Sequence, residues 1–178
     1  MMNDEKICEA CLTQPDIGFR MLVDKYQSPM YWHIRRMVVS HEDAEDVLQE
    51  TFIKIFRHLD GFKAESSLST WIYRIATNEC IRFLNRRKEL AVSAEEVQEE
   101  LMNKLMASEY VDYDNAMEVK FQQAILRLPE KQRLVFNLRY YDELKYEEIS
   151  RITGIKTETL KANYHFAKEK IKEYMTNS

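Results

Sequence analysis

KYEEISRITGIKTETLKANYHFAKEKIKEYM, residues 145–175, holds two amphipathic helical stretches broken by one glycine. The first spans about Tyr146 to Thr153. The second runs from Glu158 to about Met175, with Thr157 placed to cap it. Leu160, Tyr164, Ala167, Ile171 and Tyr174 recur at helical spacing and predict the buried stripe of the second helix. Lys161, Ala162, His165, Lys168 and Lys172 fall toward the other side, with Phe166 on the flank. Ser150 and Gly154 are small and four apart, which lets the two helices approach around the turn. Two short helices, a glycine turn and a basic second helix describe a helix-turn-helix. In that motif the second helix enters the major groove, where Lys161 and His165 can reach base edges or phosphates and Ala162 and Phe166 a thymine methyl. Helical pairs of this kind also occur without DNA binding, and the pattern alone leaves both readings open.

Upstream, a helical stretch ends near Leu128 and resumes after Pro129. Before it the composition changes. From Glu89 to Glu118 acidic residues dominate and only Lys104 opposes them. Ser93 and Glu96 suit the cap of a short helix, and Ser108 to Asn115 reads as linker. The expected division is an N-terminal extension over 1–15, a helical domain over 16–88, an acidic linker over 89–114 and a second helical domain over 115–178. Within the first domain, helices are predicted over Asp16–Tyr26, from Ser28-Pro29 through Val38, from Ser40 to Leu59, and from Ser69 to Arg87.

Composition agrees with an all-α chain of two small helical domains joined by an acidic linker, ending in the helix-turn-helix. Only 3 Gly and 3 Pro occur in 178 residues, too few for a loop-rich or sheet-rich fold. The formal net charge is −4. As an average this disfavours nucleic acid, unless the charge is segregated. Cys8, Cys11 and Cys80 read as free thiols in a reducing compartment: the CxxC at 8–11 lacks a second pair or a nearby His to complete a metal site. No apolar run approaches the ~20 residues of a membrane span, so a soluble cytoplasmic protein without membrane insertion is expected. No nucleophile–base pair, P-loop or metal-ligand cluster points to catalysis, and no cofactor is implied.

Two further helices carry patterned faces. In Glu42–Leu59, the residues Ala44, Val47, Leu48, Phe52, Ile55, Phe56 and Leu59 predict the core stripe. Asp46, Gln49, Glu50 and Ile53 lie opposite. An acidic face with an apolar residue at its centre suits a basic protein partner, and a solvated face with one stray Ile is the plainer alternative. In Ser69–Arg87, the residues Ile72, Ala76, Cys80 and Phe83 share the buried side. Trp71, Arg74, Asn78, Arg82 and Asn85 line the other, which ends in Arg86, Arg87 and Lys88. Interleaved aromatic, cationic and amide side chains can stack and hydrogen-bond unpaired bases. The alternative is that Trp71 belongs to the core and the arginines only solubilise.

Three blocks together, EDAEDVLQETFIKIFRHLDGF (42–62), STWIYRIATNECIRFLNRRK (69–88) and LPEKQRLVFNLRYYDELKYEEISRITGIKTETLKANYHFAKEKI (128–171), resemble the extracytoplasmic-function (ECF) RNA polymerase sigma factors. Phrases such as LKANYHFAKEKI look like those of Bacteroidetes-type members. The resemblance covers about Asp16 to Tyr174. It implies a factor that binds core RNA polymerase and directs promoter-specific initiation. Asp46, Gln49, Glu50 and Ile53 would face the polymerase. Trp71, Arg74, Asn78, Arg82, Asn85, Arg86 and Arg87, with the loop Lys63–Ser69, would face the melted minus-ten element. Thr157, Lys161, Ala162, His165, Phe166 and Lys168 would face the duplex minus-thirty-five element. Asn163 and Phe166 depart from the arginines of many relatives. The acidic linker would thread near the RNA path of the polymerase. An anti-sigma protein, often membrane-anchored in this family, is a further implied partner. The rival reading from the residues is a stand-alone helix-turn-helix regulator with a helical sensing or dimerisation domain, and another is a helical adaptor with no nucleic-acid role.

Overall fold

The computed structural model describes residues 3–107, 111–112 and 114–177. Residues 108–110 and 113 of the expected linker, and residues 1, 2 and 178, lie outside them. The described residues form nine α-helices and one 3-10 turn, without strands. In chain order the helices are α1 (Asp4–Thr13), α2 (Pro15–Val38), α3 (His41–His58), α4 (Leu68–Leu90), α5 (Ala94–Met106), α6 (Ala116–Leu126), α7 (Glu130–Tyr140), α8 (Tyr146–Thr153) and α9 (Thr157–Asn177).

The stop and start signals are local chemistry. Ser40 accepts from the Asp43 amide at 3.1 Å, Ser67 from Thr70 and Ser93 from Glu96, so three hydroxyls satisfy otherwise orphaned donors. At α8 the Glu148 carboxylate reaches back to the Lys145 amide at 2.8 Å. Gly154 ends that helix in the left-handed conformation, φ 75°, which no β-carbon obstructs. Thr157 is the first residue of α9 rather than its cap: the helix opens with the Leu160 amide bonding to the Lys156 carbonyl.

Two sequence expectations change. Ser28-Pro29 does not start a helix; α2 runs through Pro29 without interruption. The break that proline favours costs ~3 kcal/mol in a helix interior. Here Tyr26, Met30, Ile34, Met37 and Val38 are all buried on both sides of it, and that burial outweighs the lost hydrogen bond. The N-terminal extension, in turn, contains helix α1. Its Ile7 is fully buried, and Asp4 accepts from both Lys25 and the Tyr26 hydroxyl. A β-carbon at Gly18 would lie 2.3 Å from the Cys11 backbone nitrogen, so the α1–α2 approach requires glycine there.

A single apolar cluster runs through the N-terminal helices and into the C-terminal ones. It joins Leu22, Ile34, Ile55, Ile72, Ala76 and Cys80 to Leu134, Leu138, Ile149, Ile152 and Leu160. A smaller cluster, Ala124, Ile125, Leu128, Phe136, Ala167 and Ile171, belongs to α6, the turn after it, α7 and α9. The acidic segment is more ordered than a tether. Leu101 and Leu105 of α5 pack on Val39 and Leu126, and Asp43 accepts from both Arg87 and Lys104, at 3.0 and 2.8 Å. Arg87 also pairs with Glu100.

Burial alone pushes the Asp43 carboxyl up, but Lys104, Ser40 and Arg87 together hold it below the ordinary carboxylate range. A carboxyl lowered on folding contributes stability above its unfolded value, and that stability is lost as the pH falls through the lower folded value. Asp43→Asn should therefore be less stable than the parent chain near neutrality, with the gap closing as the pH drops below about 4. Urea unfolding across that range checks the sign.

Candidate nucleic-acid and protein interfaces

The α3 face is wider and more apolar than helical period suggests. Asp46, Gln49 and Glu50 are exposed and Ile53 is half-buried. Asp46, Gln49 and Ile53 border a groove between α2 and α3, with Phe19 and Val23 on one wall and Leu48, Phe52 and Phe56 on the other; Glu50 is not part of its lining. The Phe19 ring meets Phe56 and Phe52 edge-on, with centroids 5.0 and 6.5 Å apart. Phe56, expected in the core, is 51% exposed, and Leu48 and Phe52 are only half-covered. The apolar arc of α3 exceeds what α2 and α4 can cover: Ala44, Val47, Thr51 and Ile55 fill the contact and the phenylalanines spill over its edge. A groove of aromatic rings bordered by Glu45 and Asp46, with Arg57 also on its border, has the chemistry of a docking site for an apolar helix carrying a basic flank.

On α4, Ile72, Ala76, Cys80 and Leu84 are buried, and Arg74, Asn78, Arg82, Asn85 and Arg86 are exposed. Phe83, expected inside, is half-buried, and Leu84 takes its place. Asn78, Arg82, Asn85 and Arg86 converge with Ile81 and Glu89 on one shallow recess. The other three α4 candidates are not part of it. Trp71 is half-buried against Phe62, ring centroids 5.0 Å apart, which makes it a support for the preceding turn. Arg87 is held by Asp43 and Glu100, with its guanidinium over the Phe83 ring. Arg74 donates from Nη2 and Nε to the Arg151 carbonyl of α8, at 2.7 and 3.1 Å. The loop before α4 is exposed at Lys63, Ala64 and Glu65, and Ala64 has a positive φ of 55°.

The helix-turn-helix presents an open face. Lys161, Ala162, His165, Phe166 and Lys168 are all exposed on α9, and Thr157 is half-buried at its start. Phe166 is 53% exposed. Leu160, Ala167 and Ile171 anchor the opposite stripe. Lys161 lies 5.9 Å from the centre of the Tyr146 ring and Lys168 4.7 Å from that of Tyr164, which places both cations beside the aromatic wall of the motif.

Residues 22–89 match the Sigma-70 region 2 family and residues 118–171 the Sigma-70 region 4 family. Over 166 residues the chain is 33% identical to the ECF RNA polymerase sigma factor SigW of Bacillus subtilis, covering 89% of each protein. The chain belongs to the ECF RNA polymerase sigma factors. It is also 30% identical to the RNA polymerase sigma-H factor of Pseudomonas aeruginosa, over 95% of this chain and 92% of that one. Two solved structures share the fold at 19% identity. CnrH in complex with the cytosolic domain of CnrY has a TM-score of 0.72, over 98% of this chain and 99% of that one. The sigma factor RpoE in complex with the anti-sigma factor NepR from Bartonella quintana has a TM-score of 0.68, over 90% and 98%.

In this sigma factor the two-domain, all-α expectation with a terminal helix-turn-helix holds. No helix among the described residues is long and apolar enough to cross a membrane, and no group of His, Cys, Asp or Glu among them could hold a metal ion. Burial raises both the Cys8 and the Cys11 thiol, aided at Cys8 by Asp4, which disfavours reactive thiolates. Sequence reasoning missed the phenylalanine wall of the groove and the engagement of Arg74. The first was foreshadowed by the excess of apolar residues around α3. The second had no local signal, since its partner lies 77 residues away.

The division between core and groove on α3 has a direct consequence for stability. Ile55→Ala should cost about 2–5 kcal/mol, because Ile55 is fully buried. Phe56→Ser, one residue on, should cost less than about 1 kcal/mol. Urea midpoints of the two variants check the assignment.

Proposed function

We propose that the sigma factor divides its work among three surfaces. The α3 groove, with Asp46, Gln49 and Ile53 on its border and the exposed Glu50 on the same helix, takes core RNA polymerase. The α4 recess of Asn78, Arg82, Asn85 and Arg86, with Trp71, Arg74, Arg87 and the loop at 63–69 beside it, takes the unpaired minus-ten strand. The exposed face of α9, Thr157, Lys161, Ala162, His165, Phe166 and Lys168, takes the minus-thirty-five duplex. The corresponding units are residues 16–88 and 115–178, with 89–114 between them and 1–15 as a buttress.

The observation that carries this reading is the separation of chemistries. One chain carries an aromatic groove with acids on its border, a cation-and-amide recess and an exposed basic helix face, on three different helices. A stand-alone regulator would need only the last. The α9 cations position the protein through phosphates, while a few side chains reach base edges. Extruding a base costs a few kcal/mol, and each stacked base returns about 1–3 kcal/mol, so strand capture is near balance and needs no nucleotide hydrolysis. The protein acts as a binding factor, without catalysis of its own, in the cytoplasm.

The same groove suits an anti-sigma protein, because a factor that fills it excludes polymerase. The RpoE–NepR and CnrH–CnrY complexes lend support at the level of fold.

In vitro transcription with core polymerase on genomic fragments tests the function. Start sites that depend on the protein are expected. Asp46→Lys places a cation on the acidic rim and should reduce polymerase binding by tenfold or more, with unchanged helix content, since Asp46 is exposed. Unaltered polymerase binding would remove α3 from the interface. Without polymerase the parent chain should bind promoter duplex only weakly in a gel-shift assay, as few phosphates meet a cation.

A further inference from the structure

Three side chains of the N-terminal helices converge on one carboxylate of the C-terminal ones. Asp142 sits in the turn after α7, with its side chain only 8% exposed. The Tyr73 hydroxyl of α4 donates to its Oδ1 at 3.2 Å, and Nη1 of Arg36 on α2 reaches the same oxygen at 3.4 Å. The Nδ1 of His33 on α2 lies 3.7 Å from Oδ2. The His33 ring is fully buried, fixed at Nε2 by the Thr77 hydroxyl at 3.0 Å and packed on the Tyr73 ring. Burial and the Asp142 charge both push the Tyr73 phenol up, so it remains a donor. The Arg36 guanidinium also rests on the Tyr141 ring, 4.6 Å from its centre.

Next to this cup, α8 lies on α4 and its Arg151 carbonyl holds Arg74. Ile149 and Ile152 of α8 enter the cluster that contains Ile72 and Ala76. The C-terminal unit therefore occupies part of the helix whose outer edge carries the recess of Asn78 and Arg82. Apolar contact supplies the affinity of this docking. The carboxylate supplies its register, because a charge so little exposed is tolerated only where its donors meet it.

We propose that Asp142 is an intramolecular latch: seated in the cup of His33, Arg36 and Tyr73, it holds α8 against α4 and ties up Arg74, so that the free chain is closed and the C-terminal unit must lift before α4 can engage DNA along its whole length. The consequence for DNA rests on α4 being the strand-binding helix; the closure itself does not. Arg74 is exposed at its outer side and bonded to a backbone carbonyl, so it is released as soon as α8 lifts.

The test uses the full chain and three variants. Asp142→Asn removes the charge at constant size, Asp142→Arg opposes Arg36 with a like charge, and Tyr73→Phe deletes one donor. Small-angle X-ray scattering gives the radius of gyration, hydrogen exchange the opening of residues 146–153, and far-ultraviolet circular dichroism the helix content. A compact parent is expected. Asp142→Arg should keep its helix content, expand, and exchange at α8 roughly tenfold faster or more, with Asp142→Asn and Tyr73→Phe in the same direction by less. Binding of a single-stranded oligonucleotide should tighten in the same order. Unchanged dimensions and exchange in both Asp142 variants would overturn the latch. So would an already expanded parent, or loss of helix content in all three variants, which would make Asp142 part of one indivisible core. If the variants open but no form supports transcription with core polymerase, the latch stands and the assignment of α4 and α9 to promoter DNA fails.

Discussion

Helix α4 has to be buried on one side and bare on the other, and the rest of the molecule is arranged around that demand. Ile72, Ala76 and Cys80 are fully buried at spacings of four, which fixes the helix against α2 and α3 and turns Asn78, Arg82, Asn85 and Arg86 outward. The stripe is broad enough that two partners share it. The N-terminal helices take one flank, and α8 takes the other through Ile149 and Ile152. Without the first contact the recess would have no fixed geometry. Without the second, Tyr73 would face water and Arg74 would lose its carbonyl partner.

Charge follows the same division. Cations stand on the outer edge of α4 and on the exposed face of α9, while acids rim the α3 groove and populate α5. The net charge of −4 is thus an average over surfaces of opposite sign. The linker acids are not all free: Glu100 pairs with Arg87 and Lys104, and Asp43 is clasped by the same two cations, so part of the basic end of α4 is neutralised inside the molecule. Arg87, at the end of the basic stripe of α4, thereby also helps to seat α5.

Much of this was legible in sequence because it is local. A hydroxyl three residues before an amide marks a cap, and Ser40 and Ser93 are found doing that. The amphipathic period placed α8 and its glycine stop, and it sorted Leu160, Ala167 and Ile171 from Lys161 and His165. What failed was whatever depends on a distant partner. Pro29 has a strong local meaning, overridden by burial along α2 that only the folded core supplies. Phe56 satisfies the core period of α3, yet no helix arrives to cover it. Trp71, open to reading as a stacking plate or as core, is half-buried against Phe62, a partner that helical period does not name. Asp142 sits in a polar turn where an acid is unremarkable, and its meaning comes from Arg36 and Tyr73, 106 and 69 residues away.

The shared core also bears on how the two sequence units should be understood. Regions matched separately, 22–89 and 118–171, would as independent domains be expected to meet through a small, polar and changeable surface. Their contact here has both characters. Its centre is apolar, with Leu134, Val135 and Leu138 of α7 joining the main cluster. Its border is polar: Arg133 reaches the Met37 carbonyl at 3.1 Å, Lys88 pairs with Glu130, and Asp142 accepts from Arg36 and Tyr73 with the His33 ring nearby. An apolar centre alone would tolerate sliding, since dispersion and burial have little directional preference. The polar border selects one register and makes departure from it all-or-none, because each buried charge loses several partners at once. The proposed latch needs a contact that is either made or broken, and this combination provides it.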